Sequence, residues 1–291
     1  DNEFIFGFVE EDGETYYIQP LWYLDASAEK DLFIVYAGAD VIEDDTKTCG
    51  TNCTHHDHHH QETILKPGED PSILPGIEAM NCFEVDLAIA SDFSMWQKYG
   101  GMAGLEARNV GVMNAVQANY DDEFNWELNF VIVTQFFSDC STCDPWTAAN
   151  GAGTVLGSFR SWGNGGGFGA GISYDVAQLW TNRNFTGSTV GIAYLSGVCN
   201  SFRYHANQDY TGNANNIRQL TAHELGHNFS SGHDGGGTPC IMAPAVNGSS
   251  CWSGGSLTVI NNFVSGLING CLVPCTSNVA PTAAFEADIT I

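Results

Sequence analysis

Three histidines and one glutamate within a short segment limit the folds open to this chain more than any other feature of its sequence. Residues 223–234 read His-Glu-Leu-Gly-His-Asn-Phe-Ser-Ser-Gly-His-Asp. Histidines four positions apart lie on one face of a helix, so the imidazoles of His223 and His227 can reach a single ion. After Phe229 the chain must turn so that His233 approaches the same ion. The segment therefore predicts a helix that ends in a sharp turn.

These residue types are those of a catalytic zinc site. Three histidines leave the fourth tetrahedral position of zinc to water, which is the open arrangement of a catalytic zinc. Glu224 lies one step round the helix from His223, so its carboxylate can reach that water without being a ligand. We therefore predict that His223, His227 and His233 bind zinc, and that Glu224 is the general base of a hydrolase.

An ordinary helix with surface histidines is the alternative, because H-E-x-x-H arises by chance in about one chain in a hundred. The third histidine, followed by Asp234, argues against chance. Further along, Cys240-Ile-Met-Ala-Pro244 places Met242 in a turn. Alone, such a methionine indicates core packing. Downstream of this histidine set it predicts a hydrophobic floor beneath the metal.

The motif H-E-L-G-H-N-x-x-x-x-H-D and the turn C-I-M-x-P resemble those of the metzincins, in the adamalysin/reprolysin branch that contains the ADAM proteases and snake-venom metalloproteinases. Residues 83–92 resemble the first strand of that family, and residues 175–181 and 189–199 resemble the segments before its active-site helix. The resemblance implies an α/β metzincin catalytic domain, with a twisted, mostly parallel sheet, helices, a zinc cleft and a smaller C-terminal subdomain. It also implies a zinc metalloendopeptidase acting on proteins or peptides.

Residues 189–199 resemble the family's edge strand, along which an extended substrate adds antiparallel. The resemblance implies that Gly191, Ile192, Ala193 and Tyr194 bind the substrate. Residues after Met242 would then shape the pocket for the side chain just beyond the cleaved bond. The family usually has glycine where this chain has Ser230, because the backbone there has a positive φ. A non-glycine residue in that conformation costs on the order of 1 kcal/mol.

Residues 4–50 resemble the end of the adamalysin prodomain, in the stretches Gly13-Glu-Thr-Tyr-Tyr-Ile-Gln-Pro-Leu21 and Lys47-Thr-Cys-Gly50. A thiolate is a good zinc ligand, so Cys49 is expected to fill the fourth zinc position in a latent form. The propeptide would then be a built-in inhibitor, released by cleavage between Cys49 and Cys82. The alternative is a disulfide, with Cys53 as the nearest candidate partner.

Ten cysteines indicate an oxidising compartment, so the chain is expected to be secreted and extracellular. By resemblance Cys199 pairs with Cys271 and Cys240 pairs with Cys251. Cys140 with Cys143 would close a tight loop. The sequence assigns no disulfide partners to the remaining cysteines, Cys53, Cys82 and Cys275.

The resemblance also implies a structural calcium, held by Asp86, Asp175 and the carbonyl of Cys271, since hard oxygen ligands suit calcium. Pro274 stands where the family has an asparagine ligand, and two surface aspartates are the alternative. Residues 55–60 carry five histidines and are a second candidate metal binder. A flexible histidine cluster binds metal weakly, so a solvated linker is favoured there.

The chain is strongly acidic, with nine Lys and Arg residues against 34 Asp and Glu residues and a net charge of −25. Such a surface repels nucleic acid and anionic membranes, which argues against both as partners. No apolar run approaches the roughly 18 residues that span a bilayer. No basic-then-apolar leader occurs at Asp1, so any export signal is expected outside this sequence.

Local patterns predict alternating strands and helices. A hairpin is expected over residues 4–18, turning at Asp12-Gly13, with a strand at 32–36. Strands at 83–89, 129–137 and 189–195 and helices at 105–116 and 256–268 are expected, and Asn215 or Asn216 can cap the active-site helix. We predict a monomer with three segments: 1–77, the propeptide end with the cysteine switch and linker; 78–275, the catalytic domain; and 276–291, a linker or the start of a further domain resembling the polycystic-kidney-disease type.

Two other functions remain open from the sequence. One is a catalytically silent binding domain that keeps zinc for structure. An intact Glu224 argues against it, because a structural site needs no carboxylate beside the open position. The other is a different zinc hydrolase chemistry, such as deacetylation, which the edge-strand and methionine-turn resemblances disfavour.

Overall fold

The computed structural model describes residues 5–11, 14–42, 46–51, 82–121, 123–235, 237–268 and 270–275. The predicted turn at Asp12-Gly13, the histidine cluster at 55–60, Cys53 and the tail from 276 onward lie outside these residues. None of the helices in the described ranges is long and apolar enough to cross a membrane.

The described chain alternates strands with helices, as the patterns predict. The strands are β1 (Gly7–Glu11), β2 (Glu14–Pro20), β3 (Phe33–Ala37), β4 (Thr48–Cys49), β5 (Cys82–Ser91), β6 (Glu127–Phe137), β7 (Val176–Thr181), β8 (Thr189–Ala193), β9 (Tyr204–Gln208) and β10 (Val273–Pro274). The helices are α1 (Phe93–Tyr99), α2 (Met102–Gln117), α3 (Ala152–Asn164), α4 (Ala214–Asn228) and α5 (Gly254–Leu267), with short 3-10 turns at Leu21–Tyr23 and Gly38–Asp40.

The main sheet is mostly parallel, which confirms the predicted α/β class. Its strands follow the order β10-β5-β7-β9-β8-β4, and β6 pairs with β5. β5 runs parallel to β6 and to β7, and β7 runs parallel to β9. Every residue of β7 is buried, as expected for a parallel strand covered on both faces. β8 runs antiparallel to β9, and the two-residue β4 lies on its outer side.

Apolar side chains cover both faces of this sheet. One cluster joins inward residues of β5 to α2, α4 and α5, for example Leu87, Leu105 and Leu225. The other joins β7 and β9 to α3, for example Leu179 and Phe159. Because the two faces are closed by different helices, α4 and α3 lie on opposite sides of β8.

A second, smaller sheet is formed by β1, β2 and β3 in antiparallel register. It lies over the start of α4. The backbone N–H of Ala214 donates to Gln19 Oε1 and to Tyr36 Oη, each at 3.0 Å. Gln19 Nε2 in turn donates to the carbonyl of Gly212 at 2.7 Å, and Tyr17 Oη donates to Asn215 Oδ1 at 2.8 Å. The N-terminal sheet therefore contacts the start of the helix that carries His223 and His227.

Among the described cysteines, four disulfides close the large sheet and its loops. The three predicted pairs form, namely Cys199–Cys271, Cys240–Cys251 and Cys140–Cys143. The fourth joins Cys82 to Cys275, two cysteines that the sequence left unassigned. Their pairing follows from register, because β10 lies against the start of β5 and brings positions 82 and 275 to the same edge.

A buried ion cluster ties α1 and α2 to the loop after β9. Asp209 Oδ1 accepts from Arg108 at 2.8 Å, and Asp209 Oδ2 lies 2.7 Å from Lys98 and 2.8 Å from Tyr99 Oη. Burial alone would raise the pKa of Asp209. The positive charges of Arg108 and Lys98 outweigh burial and hold that pKa below its ordinary value.

We expect Asp209→Asn to lower the free energy of unfolding by about 3–5 kcal/mol at pH 7, because it leaves Arg108 buried without its counter-charge. Urea unfolding measures this, with the exposed Asp139→Asn as the charge-matched control. Since the folded-state pKa of Asp209 lies below 3.8, its contribution is complete above pH 3.8. The difference between the two proteins should therefore shrink as the pH falls below that value, and a constant difference would contradict the assignment.

Candidate metal centre

Helix α4 carries the histidine motif and every one of its residues is buried. Its N-cap is Asn213, whose side chain accepts from the N–H of Asn216 at 3.1 Å. The predicted cap at Asn215 or Asn216 is therefore wrong. Asn215 is instead occupied by the hydroxyl of Tyr17 from the N-terminal sheet. Sequence spacing alone could not separate three asparagines within four positions.

The turn after α4 has the predicted backbone conformation. Ser230 has a φ of +79°, and the N–H of Ser231 donates back to the carbonyl of Gly226 at 2.9 Å. The side chain of Ser230 accepts from Ser196 Oγ at 2.8 Å. This sharp return brings His233 back towards the helix, as the third-ligand prediction requires.

Three imidazoles and one thiol converge on a single point. The ligand atoms of Cys49, His223, His227 and His233 all lie within 4.8 Å of one another. His223 Nε2 and His227 Nε2 are 3.0 Å apart. Nitrogens bound tetrahedrally to a common zinc are about 3.3 Å apart, so this spacing suits zinc.

Hydrogen bonds fix which nitrogen of each helical histidine faces that point. His223 Nδ1 donates to the carbonyl of Ile241, and His227 Nδ1 donates to the carbonyl of Ser231, each at 2.7 Å. Burial lowers the pKa of His223 to about 3 and lowers the pKa of His227 well below its ordinary value. Both rings are therefore neutral, and their Nε2 lone pairs point at one another without a proton between them. A cation between those lone pairs removes the repulsion.

His233 supplies a third nitrogen of the same kind. Its Nε2 is buried and has no hydrogen-bond partner among the described residues. Its ring centroid lies 5.2 Å from that of His223 and 4.9 Å from that of His227. An unpartnered buried nitrogen beside two others indicates a missing ligand. The donor set fits a zinc ion.

Glu224 lies beside this point and is fully buried. Its Oε2 accepts from the thiol of Cys49 at 3.6 Å, while Oε1 has no hydrogen-bond partner among the described residues. Burial raises the pKa of Glu224 to about 8. A Cβ atom at Gly191 would collide with this carboxylate, so the glycine makes room for it.

Met242 packs directly against helix α4, and its role as a floor beneath a metal stays a prediction. Its side chain is fully buried, and a Cβ atom at Gly226 would lie only 2.5 Å from its sulfur. The glycine of the H-E-L-G-H motif therefore lets the methionine reach the helix backbone between His223 and His227. The same turn places the carbonyl of Ile241 on His223, so the floor and the ligand orientation come from one segment.

Cys49 reaches the centre from the N-terminal part of the chain. Its sulfur lies 3.4 Å from His227 Nε2 and accepts from the N–H of Thr51 at 3.2 Å. Cys49 forms no disulfide with any described cysteine. Burial, followed by the nearby Glu224 carboxylate, raises the pKa of the thiol well above its ordinary value. A divalent cation reverses that tendency and favours the thiolate.

The segment around Cys49 occupies a groove between β8 and residues 244–246. The N–H of Gly50 donates to the carbonyl of Gly191 at 2.8 Å, and the N–H of Ala193 donates to Thr51 Oγ1 at 2.9 Å. On the other wall the N–H of Cys49 donates to the carbonyl of Pro244 at 3.1 Å. Thr51 was not singled out from the sequence, because only its position beside β8 gives it a role.

Tyr194 differs from the other predicted substrate-binding residues. Its N–H donates to the carbonyl of Tyr204 at 3.2 Å, and its carbonyl accepts from Asn228 Nδ2 at 2.9 Å. Both backbone groups are thus used within the fold, leaving the side chain for any contact with a ligand. Asn228, the last residue of the H-E-L-G-H-N motif, is the residue that fixes this arrangement.

A family model, Reprolysin_5 of metallopeptidase family M12, matches residues 83–261, more than half of the 291 residues. The chain belongs to metallopeptidase family M12. This confirms the resemblance to the adamalysin/reprolysin branch, and members of the family use zinc.

Two curated relatives agree with this membership. The chain is 31% identical over 253 residues to "Zinc metalloproteinase-disintegrin-like" from Cerberus rynchops, covering 82% of this chain and 37% of that protein. It is 32% identical over 165 residues to "Disintegrin and metalloproteinase domain-containing protein 19" from Mus musculus, covering 56% of this chain and 17% of that protein. The chain thus spans about a third or less of these relatives.

The chain's structural similarity to a solved structure is weaker than its sequence similarity to these relatives. The structure titled "Structure of a chaperone-substrate complex" superposes with a TM-score of 0.46 at 13% identity, over 62% of this chain and 34% of that chain. It carries no argument about this M12 metallopeptidase.

The predicted calcium ligands Asp86 and Asp175 are neighbours, and one carboxylate oxygen of Asp175 is occupied by a backbone N–H. Asp175 Oδ2 accepts from the N–H of Asp86 at 2.9 Å, and Asp175 Oδ1 faces the sulfur of Cys271 at 3.1 Å. Burial raises the pKa of both aspartates. A disulfide sulfur is a poor calcium ligand. Calcium at this place remains a prediction.

We expect Ser230→Gly to be more stable than Ser230→Ala by about 1 kcal/mol, because only glycine adopts the positive φ without steric cost. Both variants lack the hydroxyl that contacts Ser196, so their difference isolates the backbone effect. Urea unfolding of the two proteins measures it. Equal stabilities would mean that the turn relaxes when its side chain changes.

Proposed function

We propose that this chain is the latent form of a secreted zinc endopeptidase that hydrolyses peptide bonds. The observation that supports it most is the convergence of three imidazole nitrogens beside the buried carboxylate of Glu224, whose Oε1 accepts no hydrogen bond from the described part of the chain. The names of both curated relatives, which describe metalloproteinases, point the same way.

In this proposal His223, His227 and His233 hold the zinc ion through Nε2. The chemistry that zinc supplies when bound is Lewis-acid activation of water and of a carbonyl oxygen. Glu224 takes a proton from the attacking water and passes it to the leaving amine nitrogen. With residues 48–51 in the groove, burial raises the pKa of Glu224 to about 8. Release of that segment and a bound cation both favour the carboxylate form, which accepts the proton.

The substrate would lie extended in the groove that residues 48–51 now fill. The carbonyl of Gly191 and the N–H of Ala193 face the groove, because they bind Gly50 and Thr51 there. Ile192 lies between them on the same edge strand. An extended peptide running antiparallel to β8 can use the same groups. The residues after Met242, beginning with the carbonyl of Pro244, form the opposite wall.

Latency follows from the direction of the segment that carries Cys49. β4 runs parallel to β8, whereas the proposed substrate runs antiparallel. The groove is therefore filled in reverse, and a thiol rather than a peptide carbonyl faces the three histidines. The N-terminal sheet, through Gln19 and Tyr36 on Ala214, anchors the inhibitor at a second place on α4. Cleavage between Cys49 and Cys82 would release it.

The proposal also concerns the location, the partners and the oligomeric state of the protein. Four disulfides support an extracellular location. The net charge of −25 supports the absence of nucleic-acid and anionic-membrane partners. A monomer, a calcium ion at Asp86 and Asp175, and the division at residues 77 and 275 remain predictions.

We expect Glu224→Ala to keep its zinc and lose casein cleavage by about 10²–10⁴-fold, because the histidine ligands stay while the proton acceptor is removed. The assay uses the zinc-loaded chain after limited proteolysis between residues 52 and 81, and metal analysis confirms the zinc content. Glu106→Ala, at an exposed position of α2, is the control. Undiminished cleavage by a zinc-loaded Glu224→Ala protein would refute the assigned role.

We expect Cys49→Ala to raise the peptidase activity of the uncleaved chain at least several-fold, because alanine offers no ligand for the fourth zinc position. In the cobalt-substituted protein the sulfur-to-metal absorption band should disappear as well. Thr48→Ala, one residue earlier on β4, is the matched control and should change neither. If activity and the absorption band both stay as in the parent chain, the thiol does not maintain latency.

A further inference from the structure

A cationic and aromatic patch lies beside the C-terminal end of β8, next to the place where Thr51 is bound at Ala193. The guanidinium carbon of Arg160 lies 4.3 Å from the ring centroid of Phe202 and 5.2 Å from that of Tyr194. The two rings meet edge to face at 5.1 Å, and Phe202 is 44% exposed. We call Arg160, Tyr194 and Phe202 the Arg160 patch.

Arg160 differs from the other arginines of the chain. It makes no hydrogen bond and no ion pair with any described residue, whereas each of the other four is tied by its donors. The two rings fix the position of the Arg160 guanidinium, so its N–H groups are held ready for an external acceptor. The partners of the others are Asp209 for Arg108, Asp92 for Arg183, the carbonyl of Asn200 for Arg203 and Asn119 for Arg218.

The Arg160 patch lies on one defined face of the groove. Gly191 faces α4, because a Cβ atom there would meet Glu224. Tyr194 lies on the opposite face, where its hydroxyl is 3.9 Å from the Cβ position of Gly157 on α3. Arg160 follows Gly157 by three residues and so lies on the same side of that helix. Alternate side chains of any strand laid along β8 point to this α3 face.

The patch also lies on one defined side of the reactive centre. Cys49, whose sulfur faces the histidines, is in register with Gly191. Thr51, two residues further, is bound at Ala193, and Tyr194 comes next. For a substrate antiparallel to β8, the residues before the cleaved bond extend in this direction. The Arg160 patch therefore adjoins the two or three residues on the N-terminal side of that bond.

We propose that the Arg160 patch is a substrate subsite for an acidic side chain, aspartate or glutamate, within the three residues before the cleaved bond. This rests on the proposed peptidase function and specifies its substrate class. A guanidinium binds a carboxylate through two parallel N–H···O bonds, and the neighbouring rings support the aliphatic part of that side chain. With nine basic residues against 34 acidic ones, a fixed cation beside the groove distinguishes this place from the rest of the surface.

Packing alone would be a different role for Arg160, in which it only covers Phe202. The two roles make different predictions for a substitution that reverses the charge of Arg160. A covering role depends on the aliphatic stem and the flat guanidinium, and it is indifferent to the charge of a peptide. In a recognition role, the peptide charge that the protein prefers changes with the charge of the side chain at position 160.

The test measures kcat/KM of the zinc-loaded, proteolytically activated chain on one casein-derived peptide that it cleaves. The peptide is made with glutamate, glutamine or lysine at each of the three positions before the cleaved bond and the three after it. The proteins are the parent chain, Arg160→Lys, Arg160→Gln and Arg160→Glu. Near-UV circular dichroism confirms that each is folded, and the glutamine peptides serve as the internal control.

We expect the parent chain to prefer glutamate over glutamine about five- to tenfold at one position before the bond. Arg160→Lys should keep part of this preference, Arg160→Gln should lose it, and Arg160→Glu should prefer lysine. Cleavage of the glutamine peptides should change less than about twofold. Equal cleavage of glutamate and glutamine peptides by the parent chain overturns the subsite. So does a preference that survives in Arg160→Glu, or one found only after the bond.

A binding measurement separates this inference from the peptidase proposal. Calorimetry compares the glutamate and glutamine peptides on the zinc-loaded, processed Glu224→Ala protein, with and without Arg160→Glu. If the parent chain cleaves nothing while charge-dependent binding is present, the peptidase proposal fails, and Arg160 is shown to bind an acidic side chain without a place relative to a cleaved bond. If cleavage occurs but both peptides bind alike, the subsite alone fails.

Discussion

The two hydrogen bonds from His223 Nδ1 to Ile241 and from His227 Nδ1 to Ser231 hold the centre of this molecule together. Each links helix α4 to a backbone carbonyl that the chain brings back after the helix ends. They fix both rings as neutral imidazoles whose remaining nitrogens face one point. The turn at Ser230, the methionine floor and the glycine at 226 all serve this geometry, because each positions one of those carbonyls or the helix itself.

Helix α4 is also where the N-terminal part of the chain acts. The small sheet satisfies the helix start at Ala214, and the segment around Cys49 crosses the other end of the groove near His227. A helix N-terminus has free N–H groups that need acceptors, and here Gln19 and Tyr36 supply them. Release of the N-terminal part would therefore free both the groove and the N–H groups at the start of the helix.

Sequence patterns predicted several strands and helices within a few residues because hydrophobic periodicity and turn residues act locally, but they did not predict α1, α3 or β9. β5, α2 and α5 are such cases, and the spacing of His223, His227 and His233 belongs with them. The sequence patterns also missed features that depend on contacts between segments far apart in the sequence. The pairing of Cys82 with Cys275 needs β10 against β5, and the role of Thr51 needs β4 against β8. The cap at Asn213 was missed because three nearby asparagines carry the same local signal.

The sequence by itself determined the family, and it predicted His223, His227 and His233 as metal ligands and Glu224 as general base, because these predictions depend on residue identities at fixed spacing along one helix and turn. Tertiary structure decided what surrounds them. It placed Cys49 beside the histidines in a strand parallel to β8. It also placed Glu224 against Gly191, and Arg160 over the rings of Phe202 and Tyr194. The physical reason is that a side chain's orientation, its burial and its available hydrogen-bonding groups depend on neighbours in space. Those neighbours lie far away along the sequence.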